Sequence, residues 1–345
     1  MYLREFWYIA AQSRELRTRP ISRTLLGESL VLFRQKNGLP AALIDRCAHR
    51  NMALSLGNVE NGCVQCPYHG WEYEGGGHCV RIPSLQGSAK CTPDVSIRSY
   101  PTHESNGFIW VYMGVEQPAS QPLPFPHYGE TGWSGFVMKT RFPTNPLACL
   151  ENFLDCPHTT YVHRGWFRSK DAQPVRAKVR YAKDSMEVEF FEERDAKSIV
   201  SRLLFPSEAK MVHTDKFFMP TTSRVDYIFD SGRHFIITSH CAPISEQETE
   251  VYTVVTFRFG RIAPLVRLFF EPLCRRIIRQ DFNILKAQSE HMQRFEKPQF
   301  TFVESDLVAP YILKLWQQAA LTEKGMQKEP ADPIDGSERE VLLQF

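Results

Sequence analysis

The sequence predicts an α+β chain in two parts. An all-β module covers residues 1–120, and a second domain, residues 121–345, sets a largely antiparallel sheet against helices. Three features predict this. The first third alternates apolar and polar residues with period two between turn signals, and a proline-bearing stretch from Gln117 to Pro126 admits neither helix nor central strand. Beyond it, helical patterns flank strand-like runs.

Taken in order, TLLGESLVLFRQKNGLPAALIDRC alternates about a turn at Asn37 and Gly38, and Phe108 to Met113 reads as a further strand. The seam falls near residue 120. LACLENFLDCPHTTYVH then has helical character. Met186 to Phe191, Arg233 to Ser239 and Val251 to Phe259 read as strands, and Leu273 to Phe295 as a long helix. After residue 320 the composition turns charged and polar, which predicts a loosely held tail.

A chain of 345 residues can bury a core without staples. With 41 basic and 39 acidic side chains the net charge is +2, so nothing global calls for nucleic acid or an anionic membrane as partner. No run of about eighteen uncharged apolar residues occurs. The start, MYLREFWYIAAQSREL, is charged within its first four residues and too aromatic for a secretory signal; the reading is cytoplasmic. Nine cysteines, an odd number without an export signal, point to reduced thiols, some of them metal ligands.

Two pairs of such candidates stand in the β module, Cys47-Ala48-His49 and Cys66-Pro67-Tyr68-His69. Each half offers one thiolate and one imidazole from a short loop, and Gly57, Asn58, Asn61 and Gly62 between them have the turn chemistry to bring the loops together. Such a donor set suits either a structural zinc, with Cys63 as a spare thiolate, or a [2Fe-2S] cluster with two cysteines on one iron and two histidines on the other. The remaining cysteines (Cys63, Cys79, Cys91, Cys149, Cys156, Cys241 and Cys274) have no partner at metal spacing and read as buried apolar fillers.

In the second domain Asn152, Asp155, His158 and His163 form N-x-x-D-x-x-H-x4-H. A non-haem Fe(II) that activates O2 takes two imidazoles and one carboxylate on one face, and His158 and His163 are the candidate imidazoles. Five residues apart on one α-helix they would splay by roughly 140°, so the helix must end or bulge between them. Asp155 and His158, three apart, can share a helix face. Asp281 lies on the apolar stripe of the late helix, with Ile277, Ile278, Ile284 and Leu285. A carboxylate there is costly unless a metal binds it or Arg275, Arg276 or Arg279 pairs with it. Glu271 and Glu290 lie off that stripe.

CAHR and CPYHGW at this separation resemble the two cluster-binding loops of Rieske proteins, and the later pattern resembles the mononuclear iron helix of Rieske ring-hydroxylating oxygenases. The resemblance spans nearly the whole chain. It implies an N-terminal Rieske domain and a catalytic domain of helix-grip shape. One [2Fe-2S] cluster would sit on Cys47, His49, Cys66 and His69, and one Fe(II) on His158, His163 and an aspartate in the context Arg279-Gln280-Asp281. It also implies a homotrimer in which Asp155 bridges His158 to His69 of the next subunit.

The same resemblance implies electrons from NAD(P)H through a separate reductase, and a ferredoxin where one intervenes; no Gly-rich dinucleotide fingerprint follows a strand here, and Gly75-Gly76-Gly77 is a turn. The short chain resembles oxygenases built of α subunits alone, which hydroxylate or demethylate small organic substrates with O2, more than cis-dihydroxylating dioxygenases. Trp166, Phe205, Phe217 and Phe218 are pocket candidates, although a core needs the same residues. A Rieske electron carrier would need only the first domain, and a zinc-stabilised binding module would need no second constellation.

Overall fold

The computed structural model describes residues 2–85, 95–164, 174–191, 211–326 and 336–344. The chain forms two compact units, Met1–Pro124 with Ala242–Glu246, and Phe125–Cys241 with Gln247–Phe345. Among the described residues no helix is long and apolar enough to cross a membrane.

Among the described residues the first unit is built from three small antiparallel sheets. Trp7–Gln12, Phe108–Tyr112 and Thr102–Ser105 form one, and Ile21–Leu25, Glu28–Arg34, Pro40–Ile44 and Ser99–Tyr100 a second. The third joins Asn58–Glu60, Cys63–Gln65, Glu72–Tyr73 and Cys79–Arg81. The turn read at Asn37 and Gly38 is present: Gly38 takes φ +82°, and Asn37 Oδ1 accepts from the Leu39 N–H at 3.0 Å. Cys47 and Cys66 are packed into a core with Val31, Phe33, Leu43, Val64 and Tyr73.

The second unit holds an eight-stranded antiparallel sheet in the order Ser134–Phe142, Glu248–Arg258, His234–Ser245, Thr222–Phe229, Met211–Phe218, Ser185–Phe191, Pro174–Tyr181 and Glu338–Gln344. The helix Ala263–Met292 buries Phe270 and Cys274 against Phe136, Phe235 and Phe257 of the sheet. This helix begins ten residues before the expected Leu273. Pro272 sits inside the helix, which forgoes the single bond its missing N–H would have given. The buried residues Ala263, Phe270, Cys274, Asp281 and Leu285 recur at intervals of seven and four, so Asp281 does face inward. Ile284, expected on the same stripe, is 47% exposed.

The expected loose tail is corrected at both of its described parts. Ala309–Glu323 is a helix that runs past residue 320, and Glu338–Gln344 is the edge strand paired with Pro174–Arg180. Only two inward positions, Val341 and Leu343, mark that strand amid charged neighbours, which is why composition hides it. Leu343 is 4% exposed and Leu342 69%. Leu343→Asp is therefore expected to lower stability by about 2–4 kcal/mol, through lost burial and a stranded charge. Leu342→Asp should stay within about 0.5 kcal/mol, both read by urea denaturation.

Candidate metal centres

The two loops of the first unit are closed in the same way. The Cys47 N–H donates to Met52 O at 2.9 Å and the Asn51 N–H to Cys47 O at 3.0 Å; the Cys66 N–H donates to Trp71 O at 2.8 Å and the Gly70 N–H to Cys66 O at 3.0 Å. Four residues after each cysteine the backbone turns left-handed, at Asn51 (φ 59°) and Gly70 (φ 70°). A Cβ at Gly70 would also meet Pro83 Cγ at 3.0 Å, so glycine is required there.

This construction places sulfur inside and imidazole outside. Cys47 and Cys66 are 1% and 2% exposed, while His49 is half-buried and His69 exposed. The two imidazole centroids lie 4.6 Å apart, and His49 stacks flat on Trp71 at 4.8 Å. His49 Nδ1 is buried without a hydrogen-bond partner, a costly state that a metal taking its lone pair relieves. A zinc ion would need these donors gathered about one point. Among the described residues two three-donor groups converge within 4.8 Å, and neither includes Cys47, His49, Cys66 or His69. Donors spread more widely suit two irons.

Tyr73, which sequence reading passed over, stands 3.2 Å from Cys47 Sγ and accepts from the Ala48 N–H at 3.1 Å. Burial first, then the neighbouring Cys47, pushes its pKa far above the ordinary phenol range, so the hydroxyl keeps its proton for the sulfur. Its signal was a tyrosine shortly after CPYHGW, in a core strand.

In the second unit the helix Pro146–Leu154 opens on Asn145, whose side chain accepts from the Ala148 N–H at 3.0 Å, with Pro146 in the first turn. It ends at Leu154. Asp155 is extended, Cys156–His158 is a 3-10 turn, Thr159–Val162 a single α turn, and His163 caps it. The helix does end, but it ends before both histidines and not between them as the spacing suggested, so Asp155 and His158 share no helix face. They meet instead through the turn: His158 Nδ1 donates to the Asp155 backbone carbonyl, and the Asp155 carboxylate lies 3.8 Å from the same nitrogen.

His158, His163 and Asp281 come together. The two Nε2 atoms are 3.3 Å apart, and Asp281 Oδ1 lies 3.5 Å from the first and 2.9 Å from the second. His163 Nδ1 is 3.0 Å from Gln280 Oε1. An amide oxygen only accepts, so His163, like His158, carries its proton on Nδ1 and offers the Nε2 lone pair. Asp281 Oδ1 is buried and receives no well-angled N–H. Three acceptors thus face one point, an arrangement that fits a divalent cation. Burial works to lower the His158 pKa, but the Asp281 carboxylate holds it above the ordinary value; burial works to raise Asp281, but His158 and His163 hold it below. Burial and the acids Asp306 and Asp215 raise Asp155 against the pull of His158.

Among the described residues Asp281 faces His158 and His163, whereas Arg275 pairs with Glu271 at 2.7 Å and Glu290 faces Lys286. Every described cysteine is free, and Cys79, Cys149, Cys241 and Cys274 are buried as expected. Cys156 is buried as well, and it also lies against His213 and Asp215, which are distant in sequence. Phe217 is fully buried; Trp166, Phe205 and Cys91 lie outside the described residues.

Residues 6–101 match the Rieske [2Fe-2S] domain, and residues 142–319 match the vanillate O-demethylase oxygenase C-terminal domain. The chain is 38% identical over 170 residues to the oxygenase component of dicamba O-demethylase from Stenotrophomonas maltophilia, covering 47% of this chain and 48% of that one. It thus spans about half the length of the curated relatives it matches. Dicamba monooxygenase bound to dicamba superposes with TM-score 0.81 at 23% identity, over 94% of this chain and 99% of that one. NdmA from Pseudomonas putida CBB5 with caffeine, as the QL mutant, superposes with TM-score 0.80 at 20% identity, over 97% of both chains.

Two substitutions probe these surroundings. Gln280→Leu is expected to weaken iron binding about 10–100-fold, measured by anaerobic titration, with the cluster spectrum intact. Tyr73→Phe removes a hydrogen bond to sulfur, and the cluster potential should fall in an EPR-monitored redox titration.

Proposed function

On the premise that the chain belongs to the Rieske oxygenases whose catalytic half is the vanillate O-demethylase oxygenase C-terminal domain, matched over more than half of its length, we propose that it is a terminal oxygenase component. It uses O2 and electrons from NAD(P)H, delivered by a separate reductase with or without a ferredoxin, to hydroxylate or oxidatively demethylate a small organic substrate. The observation that carries this reading is the meeting of two Nε2 lone pairs and a buried carboxylate on one point. A relative named as an O-demethylase, and structural neighbours holding dicamba and caffeine, support demethylation of a small ring compound.

Cys47, His49, Cys66 and His69 would hold the [2Fe-2S] cluster, and His158, His163 and Asp281 the Fe(II). When bound, these centres supply one-electron transfer and O2 activation. The chain's own residues prepare them. Gln280 and the Asp155 carbonyl hold the Nδ1 protons and so fix both rings. The exposed imidazole of His69 is the natural exit for electrons, and Asp155, partly exposed beside His158, is the natural acceptor for its N–H from a neighbouring subunit of a homotrimer.

Asp281→Ala should reduce iron from about three to about two per chain, leave cluster and sulfide unchanged, and abolish product with a surrogate reductase. Full product formation would eliminate Asp281 as a ligand. Asp155→Asn should keep both metals and the fold yet lose coupled turnover, because the amide removes the negative charge that lies 3.8 Å from His158 Nδ1 and would receive an incoming imidazole N–H. Mixing Cys66→Ala with His158→Ala chains should restore part of the activity. An Asp155→Asn enzyme of unchanged activity would remove the intersubunit route.

A further inference from the structure

Cys156, His213 and Asp215 form a second three-donor group in the same unit, and the oxygenase reading does not use it. Cys156 opens the 3-10 turn that leads to His158. His213 and Asp215 stand two apart on Met211–Phe218, so both point to the buried face of that strand with Phe217. The three residues are 8%, 2% and 3% exposed. The Asp215 carboxylate bridges the other two, with Oδ2 3.3 Å from Cys156 Sγ and Oδ1 3.0 Å from His213 Nε2.

We propose that Cys156, His213 and Asp215 bind a borderline-soft divalent cation, zinc(II) in the first instance, at a site separate from the iron of His158, His163 and Asp281. The donor chemistry selects the ion. A thiolate beside an imidazole excludes magnesium and calcium, which take oxygen, whereas zinc accepts sulfur, nitrogen and carboxylate together. Both groups have all their donor atoms within 4.8 Å of one another. One thiolate and one carboxylate offset the double charge of the cation, leaving no net charge in a buried place. On binding, the Cys156 thiol gives up its proton to solvent and the His213 proton moves to Nδ1.

The surroundings supply rigidity and access. The His213 ring is held between Phe190 at 4.7 Å and Tyr227 at 4.4 Å, both nearly parallel to it, so it is already oriented. Cys156 lines a cavity of about 60 Å³ whose wall includes Glu151, Asp155 and Asp306, three carboxylates that raise the local concentration of cations. Three protein donors leave the fourth tetrahedral position for a water or a ligand from that cavity. Because Cys156 lies between Asp155 and His158 in sequence, the cation would also pin this turn to the sheet.

The test uses holoenzyme with cluster and iron in place, to which zinc(II) alone is added. Equilibrium dialysis should find one tightly bound zinc per chain, and zinc-edge X-ray absorption should find one sulfur at about 2.3 Å in its shell. Cys156→Ser should remove that sulfur, and Cys156→Ser and Asp215→Asn should each weaken binding at least about tenfold with the cluster spectrum unchanged. Asp215→Asn keeps the shape of the carboxylate, so it remains informative if the serine variant folds poorly. Zinc without sulfur in its shell would be zinc captured by the iron triad and would overturn the proposal. So would a sulfur shell and affinity retained in both variants, or no zinc retained at all.

Discussion

Pro157 has no N–H to give to the carbonyl of Phe153, and its ring would press against that carbonyl, so the helix that opens at Pro146 ends at Leu154. The arrangement of the second unit's donors follows from this break. Were the helix to continue, His158 and His163 would diverge by roughly 140°. Instead Asp155 is extended, its carbonyl receives His158 Nδ1, and the short turns that follow return His163 to within 3.3 Å of His158. One imino acid thus helps the imidazoles to meet and frees the Asp155 carbonyl that orients His158.

The opposing donor comes from a helix whose inward face is otherwise apolar. Asp281 takes a place in the series Phe270, Cys274, Asp281, Leu285, so the packing that seats the helix on the sheet also delivers the carboxylate. Gln280, the residue before it, fixes the His163 tautomer from the same turn. Position and protonation are therefore set by adjacent residues of one rigid element, and the desolvation that would neutralise a lone buried aspartate is offset by the two imidazoles.

Much of this was legible in the sequence because it is local. The paired loops and the inward Asp281 follow from spacing and period, and so does the failure of one unbroken helix to carry both histidines, although the break lies before His158 and not between the two. The near-identical closure of the two loops, with Asn51 and Gly70 left-handed at matching places, was partly visible as two Cys-and-His motifs. What remained hidden depends on contacts between distant residues. Gln280 is an ordinary polar residue until His163 is beside it, Cys156 an ordinary buried thiol until Asp215 is, and Leu343 an apolar residue in a charged tail until Val175 pairs with it. The helix start at Ala263 was hidden in the same way: a helix seated by Phe270 and Cys274 tolerates the loss of one hydrogen bond at Pro272 that an isolated helix would not.

The segment from Asn152 to His163 makes different demands on successive side chains, and its irregular backbone is what satisfies them. Asp155 stays partly exposed, Cys156 turns into the sheet against Asp215, and His158 turns toward Asp281. A regular helix sends consecutive side chains out at about 100° intervals, so residues 155, 156 and 158 could not choose these directions independently. An extended residue followed by a tight turn lifts that restriction at the cost of backbone hydrogen bonds, which the Asp155 carbonyl recovers in part from His158. The two groups of donors therefore share one short stretch of backbone: a change that shifts Cys156 away from Asp215 moves the residue two places before His158.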